Sequence, residues 1–86
     1  MEKVAVVTGT SSGIGFETAL ALARDGYYTY ATMRDTTKSD KIKELVQKEN
    51  LKIDVLELDV DSENSAKTAI KHILDQKQRI DVLVNN

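Results

Sequence analysis

The sequence predicts an α/β fold, a doubly wound parallel sheet with helices on both faces. Four short apolar, β-branched segments alternate strictly with segments of helical pattern, in the order βαβαβαβ. The first segment, Val4–Thr8, is a continuous apolar run, which is typical of a strand buried on both faces. Strict alternation favours parallel strands joined by right-handed crossovers. We expect one domain over residues 1–86, because no linker interrupts the pattern.

Two strands and two helices are expected in the first part of the chain. A helix is predicted over Glu17–Asp25, where alanine and leucine dominate and a glycine follows as a C-terminal stop. Tyr27–Met33 is rich in β-branched and aromatic residues, so it predicts the second strand. A polar loop follows. A further helix, with Ser39 or Asp40 as its N-cap, is predicted to run to about Asn50.

The second part of the chain continues the alternation. Ile53–Leu58 predicts a third strand, and Asp61 or Ser62 can cap the helix that follows. That helix carries an amphipathic stripe with the spacing i, i+3, i+4, i+7, i+8, formed by Ala66, Ala69, Ile70, Ile73 and Leu74. Ile80–Val84 predicts the fourth strand.

Composition excludes several kinds of partner and site. The net charge is -2, so no nucleic acid and no anionic membrane surface is expected as a partner. There are no cysteines, which excludes disulfides and thiolate metal sites. The only histidine, His72, lies in a helical pattern without a second ligand nearby, so we expect a helix-surface residue and no metal site. No leader or spanning segment is evident, and a cytoplasmic protein is expected.

A glycine-rich loop, Thr8–Gly15 ("TGTSSGIG"), joins the first strand to the first helix. In such a turn the unpaired N–H groups and the positive dipole end of the helix favour a phosphate, and glycines let the phosphate come close to the backbone. The spacing is G-x-x-x-G-x-G, and Phe16 stands where a P-loop would carry lysine. This spacing is also not the G-x-G-x-x-G of the dinucleotide-binding fingerprint. The loop therefore predicts a phosphate site and disfavours a P-loop.

These residues resemble the short-chain dehydrogenases/reductases. "TGTSSGIG" matches the family's T-G-x-x-x-G-[IL]-G loop, and "LDV" at Leu58–Val60 and "NN" at Asn85–Asn86 match two further markers in the right order. The likeness covers all 86 residues, which correspond to about the first third of a family member. The resemblance implies a Rossmann-like sheet with strand order 3-2-1-4, in a partial dinucleotide-binding domain of an oxidoreductase.

The resemblance also implies which residues hold the cofactor. The adenosine phosphates would be wrapped by the loop residues, which are Gly9, Thr10, Ser11, Ser12, Gly13, Ile14 and Gly15. Asp59 and Val60 would contact the adenine, with the carboxylate accepting from its amino group. Asn85 would lie by the adenosine ribose.

Arg34 predicts which dinucleotide is bound. By the family's register, Met33 stands where NAD-preferring members carry aspartate, and Arg34 stands where an NADP-preferring subgroup carries arginine. A guanidinium can bind a 2′-phosphate bidentately. We therefore expect NADP(H) in preference to NAD(H). For Asp35 two arrangements remain open: it points away from Arg34, or it pairs with Arg34 when no ligand is bound.

No catalytic residue is predicted. The family's chemistry needs a serine and a Y-x-x-x-K pair, and no such pair occurs in these 86 residues. We expect the cofactor-binding portion of a longer, NADP-dependent alcohol/carbonyl oxidoreductase. The alternatives are a stand-alone nucleotide-binding module without catalysis and another doubly wound protein such as a receiver domain. The fourth strand would form an open apolar edge, through which self-association is expected.

Overall fold

The computed structural model describes residues 2–86, in which strands and helices alternate as predicted. The elements are β1 (Val4–Val7), α1 (Gly13–Arg24), β2 (Tyr28–Met33), a 3₁₀ turn (Thr36–Lys38), α2 (Asp40–Glu49), β3 (Ile53–Glu57), α3 (Glu63–Lys77) and β4 (Val82–Val84). No helix among these residues is both long enough and apolar enough to cross a membrane.

All four strands form one parallel sheet in the order β3-β2-β1-β4, which confirms the predicted topology. In the register, Val6 of β1 lies between Tyr30 of β2 and Leu83 of β4. The crossover from β3 to β4 passes over β2 and β1, so all four carboxyl ends meet at one edge of the sheet.

Side-chain alternation along the strands divides the core into two clusters, one on each face of the sheet. On one face α1 and α2 cover the sheet, and the buried residues there include Val7, Ala19, Leu20, Ala31, Met33 and Ile42. On the other face α3 inserts Ile73 among Val4, Val6 and Tyr30. The continuous apolar run of β1 is explained by its position between these two clusters.

Two element boundaries differ from the prediction by more than one residue. Helix α1 begins at Gly13 rather than Glu17, because packing against the sheet outweighs the low helix propensity of glycine. Strand β4 begins at Val82 rather than Ile80. The preceding residue, Asp81, binds β1 instead: its N–H donates to the carbonyl oxygen of Val4, and its carboxylate accepts from the N–H of Val4, both at 2.8 Å.

We expect Ile73→Ala to lower the free energy of unfolding by about 2–5 kcal/mol, because it leaves a cavity in the cluster beneath α3. Ile73 is 0% exposed, whereas its neighbour Leu74 is 42% exposed. Leu74→Ala is therefore the matched control, with an expected loss below about 1 kcal/mol. Urea unfolding measures both. Equal losses would contradict the position of α3 on the sheet.

Candidate functional site

A cleft of about 320 Å³ opens at the carboxyl edge of the sheet, where the segments after all four strands meet. Its walls come from Gly9 and Ser11 after β1, from the end of β2, from the segment after β3 and from Asn86. The full lining set is Gly9, Ser11, Met33, Arg34, Leu58, Asp59, Val60, Asp61 and Asn86. This is the edge at which open parallel sheets bind their ligands.

The N-terminus of α1 is left without a cap. Ser12, the N-cap residue, has extended backbone (φ -164°), its side chain makes no capping hydrogen bond within residues 2–86, and no acidic residue lies in the first turn. The start of α3 is different, because the Ser62 hydroxyl accepts from the N–H of Ser65 at 3.2 Å and Glu63 follows. The first N–H groups of α1 are therefore available to an anion, with the positive end of the helix dipole behind them.

Glycines allow this helix end to approach β1 closely. Gly9 and Gly13 have φ of 63° and 65°, a left-handed backbone that other residues rarely adopt. A Cβ at Gly15 would overlap the carbonyl oxygen of Gly9 and would lie 2.8 Å from Nδ2 of Asn86. The loop thus has the closely packed backbone that a phosphate site requires.

Hydrogen bonds hold the glycine loop to the strands beside it. Thr10 is buried, and both its N–H (3.1 Å) and its hydroxyl (3.0 Å) donate to the carbonyl oxygen of Thr32 in β2. The N–H of Asn86 donates to Oγ1 of Thr8 at 3.0 Å, and its Nδ2 donates to the carbonyl oxygen of Gly9 at 3.3 Å. The loop is therefore ordered by contacts from both neighbouring strands.

Arg34 extends into the cleft from the end of β2. It is exposed and forms no ion pair with a carboxylate in the described part of the chain. The carboxylate of Asp35 instead accepts from the N–H and the hydroxyl of Thr37, at 3.0 and 2.6 Å. These two bonds hold the pKa of Asp35 below its usual range. Of the two arrangements left open for Asp35, the structure shows the one that leaves Arg34 unpaired.

The segment after β3 supplies the wall opposite the glycine loop. Leu58 extends the ladder to β2 through its N–H, which donates to the carbonyl oxygen of Met33 at 3.0 Å. Asp59 then leaves the sheet, and its carboxylate accepts from the N–H of Asp61 at 3.0 Å. Val60 is 60% exposed, so the cleft wall presents an apolar side chain to solvent.

The structure brings most of the predicted site residues to this edge of the sheet. Those that line the cleft are Gly9, Ser11, Arg34, Asp59 and Val60. Ser12, Gly13, Ile14 and Gly15 form the start of α1 beside it. Thr10 is buried, so its side chain faces the protein and not the cleft. Asn85 is not among the lining residues.

Four lining residues were not predicted as site residues: Met33, Leu58, Asp61 and Asn86. Their positions at strand ends are the signal that could have found them, since strand ends in a parallel sheet converge at one edge. His72 is exposed on α3, away from this set. Within residues 2–86 no three His, Asp or Glu side chains cluster as a metal site.

Comparison with known proteins identifies the family. The model of the short chain dehydrogenase family matches residues 3–86. The chain belongs to this family. Among curated relatives, short-chain dehydrogenase/reductase prx1 of Penicillium roqueforti is 42% identical over 86 residues, which cover 99% of this chain and 25% of that protein. The chain spans about a quarter of the length of the first curated relatives it matches.

Solved structures of short-chain dehydrogenase type share the fold. A variant of actinorhodin polyketide ketoreductase, crystallised with NADPH, superposes with a TM-score of 0.89 and 28% identity over 99% of this chain and 33% of that chain. Menthone neomenthol reductase from Mentha piperita superposes with a TM-score of 0.87 and 32% identity over 100% of this chain and 31% of that chain. Both structures are named as reductases, and the ketoreductase was crystallised with NADPH.

We expect Gly15→Ala to destabilise the chain by about 1–3 kcal/mol, because the added methyl group overlaps the Gly9 carbonyl oxygen and must push α1 away from β1. Gly13→Ala is the control, since a Cβ at Gly13 meets nothing within 4 Å and adds only left-handed backbone strain. Amide chemical shifts of Thr8 and Asn86 should move in Gly15→Ala and stay in place in Gly13→Ala. Unchanged shifts in both variants would contradict the close approach.

Proposed function

We propose that residues 1–86 act as a partial dinucleotide-binding domain, the NADP(H)-binding portion of a short-chain oxidoreductase. The whole protein would transfer hydride between the nicotinamide cofactor and an alcohol or carbonyl substrate. One observation carries the proposal: the uncapped N-terminus of α1 and the unpaired guanidinium of Arg34 meet at the same sheet edge. Two separate anion-binding features at one edge match a dinucleotide that carries both a pyrophosphate and a 2′-phosphate.

The glycine loop is proposed to hold the pyrophosphate. The backbone N–H groups from Gly13 to Gly15 would donate to its oxygens, and the exposed hydroxyls of Ser11 and Ser12 would add donors. Ile14, which is 78% exposed, would lie against the cofactor. Thr10 would hold the loop in place rather than bind the phosphate through its side chain, because its hydroxyl already donates to β2.

The 2′-phosphate is proposed to bind Arg34, the only cationic residue among those that line the cleft. The last residue of β2 is Met33, which has no carboxylate that could repel the 2′-phosphate. Its side chain is 2% exposed and packs into the core. Asp35 is engaged by Thr37. Support also comes from the ketoreductase crystallised with NADPH, which shares this fold.

The adenine is proposed to lie against Val60, with the carboxylate of Asp59 accepting from its exocyclic amino group. The exposure of Val60 and the position of Asp59 in the cleft wall support this assignment. Asn85 is proposed to lie near the adenosine ribose, next to Asn86, which holds the loop.

The nicotinamide of the bound cofactor supplies or accepts the hydride. No residue of this chain is assigned to the hydride-transfer step, because none of its three tyrosines is followed four residues later by lysine. A second candidate is a stand-alone nucleotide-binding module without catalysis. Binding of NADPH without turnover of any carbonyl compound separates this module from an enzyme. The cytoplasmic location expected from the sequence stays a prediction.

We expect Arg34→Ala to weaken NADPH binding about ten- to a hundredfold and to leave NADH binding nearly unchanged, because a charged hydrogen bond contributes about 1.5–3 kcal/mol. Titration calorimetry with both cofactors measures the two affinities. Lys38→Ala is the control, since it removes an equal charge four residues away, outside the cleft. If Arg34→Ala lowers the affinity for NADPH and for NADH by the same factor, the proposed specificity is wrong.

We further propose that the chain associates with itself through β4. This strand lies at the edge of the sheet, and its central residue, Leu83, is 56% exposed. An open apolar strand offers unpaired backbone groups to a second strand.

We expect Leu83→Lys to shift the chain toward the monomer, because a charge on an edge strand opposes pairing with a second strand. Light scattering across a concentration series measures the change. Leu74→Lys, at an exposed position of α3, is the matched control and should leave the association unchanged. A wild-type chain that stays monomeric at high concentration contradicts the proposal.

A further inference from the structure

We propose that Thr37 is a positioning residue for cofactor choice: it holds the Asp35 carboxylate away from Arg34 and so keeps Arg34 free for a 2′-phosphate. This inference rests on the proposed function and adds a specificity determinant outside the cleft. Thr37 does not line the cleft itself. It would act only through the neighbouring carboxylate.

Thr37 forms two hydrogen bonds with the carboxylate of Asp35. The N–H of Thr37 donates to Oδ1 of Asp35 at 3.0 Å, and its hydroxyl donates to the same oxygen at 2.6 Å. A hydroxyl-to-carboxylate bond of this length belongs to the stronger, charge-assisted class. The carboxylate is thereby directed into the 3₁₀ turn that it caps.

The turn itself is fixed at its far end. Ser39 is 1% exposed, and its hydroxyl donates to the carbonyl oxygen of Thr36 at 2.6 Å. The N–H of Lys38 donates to the carbonyl oxygen of Asp35 at 3.2 Å. Because the backbone is held at both ends, the Asp35 side chain keeps the direction that Thr37 gives it.

The charge balance of the cleft explains why that direction matters. Arg34 already shares the cleft with the carboxylates of Asp59 and Asp61. The bonds from Thr37 lower the pKa of Asp35, and an aspartate carboxylate is charged at neutral pH with or without them. Once released, it would stand beside Arg34 in the chain, where it would compete with a bound phosphate for the guanidinium and repel that phosphate.

The experiment compares 2′,5′-ADP with 5′-ADP as probes, titrated against the chain in four forms: wild type, Thr37→Val, Thr37→Ser and Thr36→Val. Thr37→Val removes the hydroxyl and should lower the affinity ratio of the two probes about three- to tenfold, the effect of one hydrogen bond. Thr37→Ser keeps the hydroxyl and should preserve the ratio. Thr36→Val is the matched control, since the Thr36 side chain forms no hydrogen bond in the described residues.

An Asp35→Asn background separates positioning from a purely structural role. There the carboxylate charge is gone, so adding Thr37→Val should leave the ratio unchanged. A structural role would instead weaken both probes equally in either background, and that outcome overturns the inference. Thr37→Ala replaces Thr37→Val if the latter does not fold.

The outcomes also distinguish this inference from the proposed function. If Arg34→Ala selectively loses 2′,5′-ADP while Thr37→Val keeps the wild-type ratio, only the role of Thr37 is overturned. The same holds if the released Asp35 pairs with Lys38 and leaves the ratio unchanged. If the wild-type chain binds neither probe, or if Arg34→Ala lowers the affinity for both probes equally, the proposed NADP(H) site is wrong. The role of Thr37 is then overturned as well.

Discussion

The close approach of Gly15 to the carbonyl oxygen of Gly9 is the contact on which the site depends. No residue with a Cβ fits at position 15 without moving α1 away from β1. Because α1 starts this close to the strand, its first N–H groups lie at the carboxyl edge of the sheet rather than beyond it. The loop between them is then short enough for Thr10 to bond to β2. Backbone spacing, more than any charged side chain, therefore defines where an anion can bind.

The helix starts and turns of the chain differ in how they are capped. The start of α3 is capped by Ser62, and the 3₁₀ turn is capped by Asp35. Among the residues that the structure describes, no buried side-chain nitrogen or oxygen lacks a hydrogen-bond partner. The N-cap of α2, Ser39, also makes no side-chain capping hydrogen bond, but Asp40 lies in its first turn. Helix α1 has neither a side-chain cap nor an acidic residue in its first turn. The position of this helix end beside Arg34 is the basis of the proposed phosphate-rich cofactor.

The alternation of strand-like and helix-like segments was enough to predict the parallel sheet, because strands that alternate with helices bury their apolar faces by packing the helices on both sides of a parallel sheet. The strand order came from the family resemblance and is confirmed. The start of α1 at Gly13 was missed, since local propensity disfavours glycine and only packing against the sheet offsets that. Asn86 was not predicted as a lining residue, because its contact with the carbonyl oxygen of Gly9 depends on the register of β4. The direction of the Asp35 side chain could not be predicted either, because the sequence is compatible both with a turn cap and with an ion pair to Arg34.

The pairing of β1 with β4 has a consequence for the order in which the chain acquires structure. Thr8 and Asn86, which are bonded to each other, stand 78 positions apart. Contacts this distant in sequence form late, because a long loop must close before they are made. During synthesis the glycine loop emerges before β4, which is followed by the loop's partner Asn86. The anchored conformation of the loop is therefore expected only after β4 has joined the sheet.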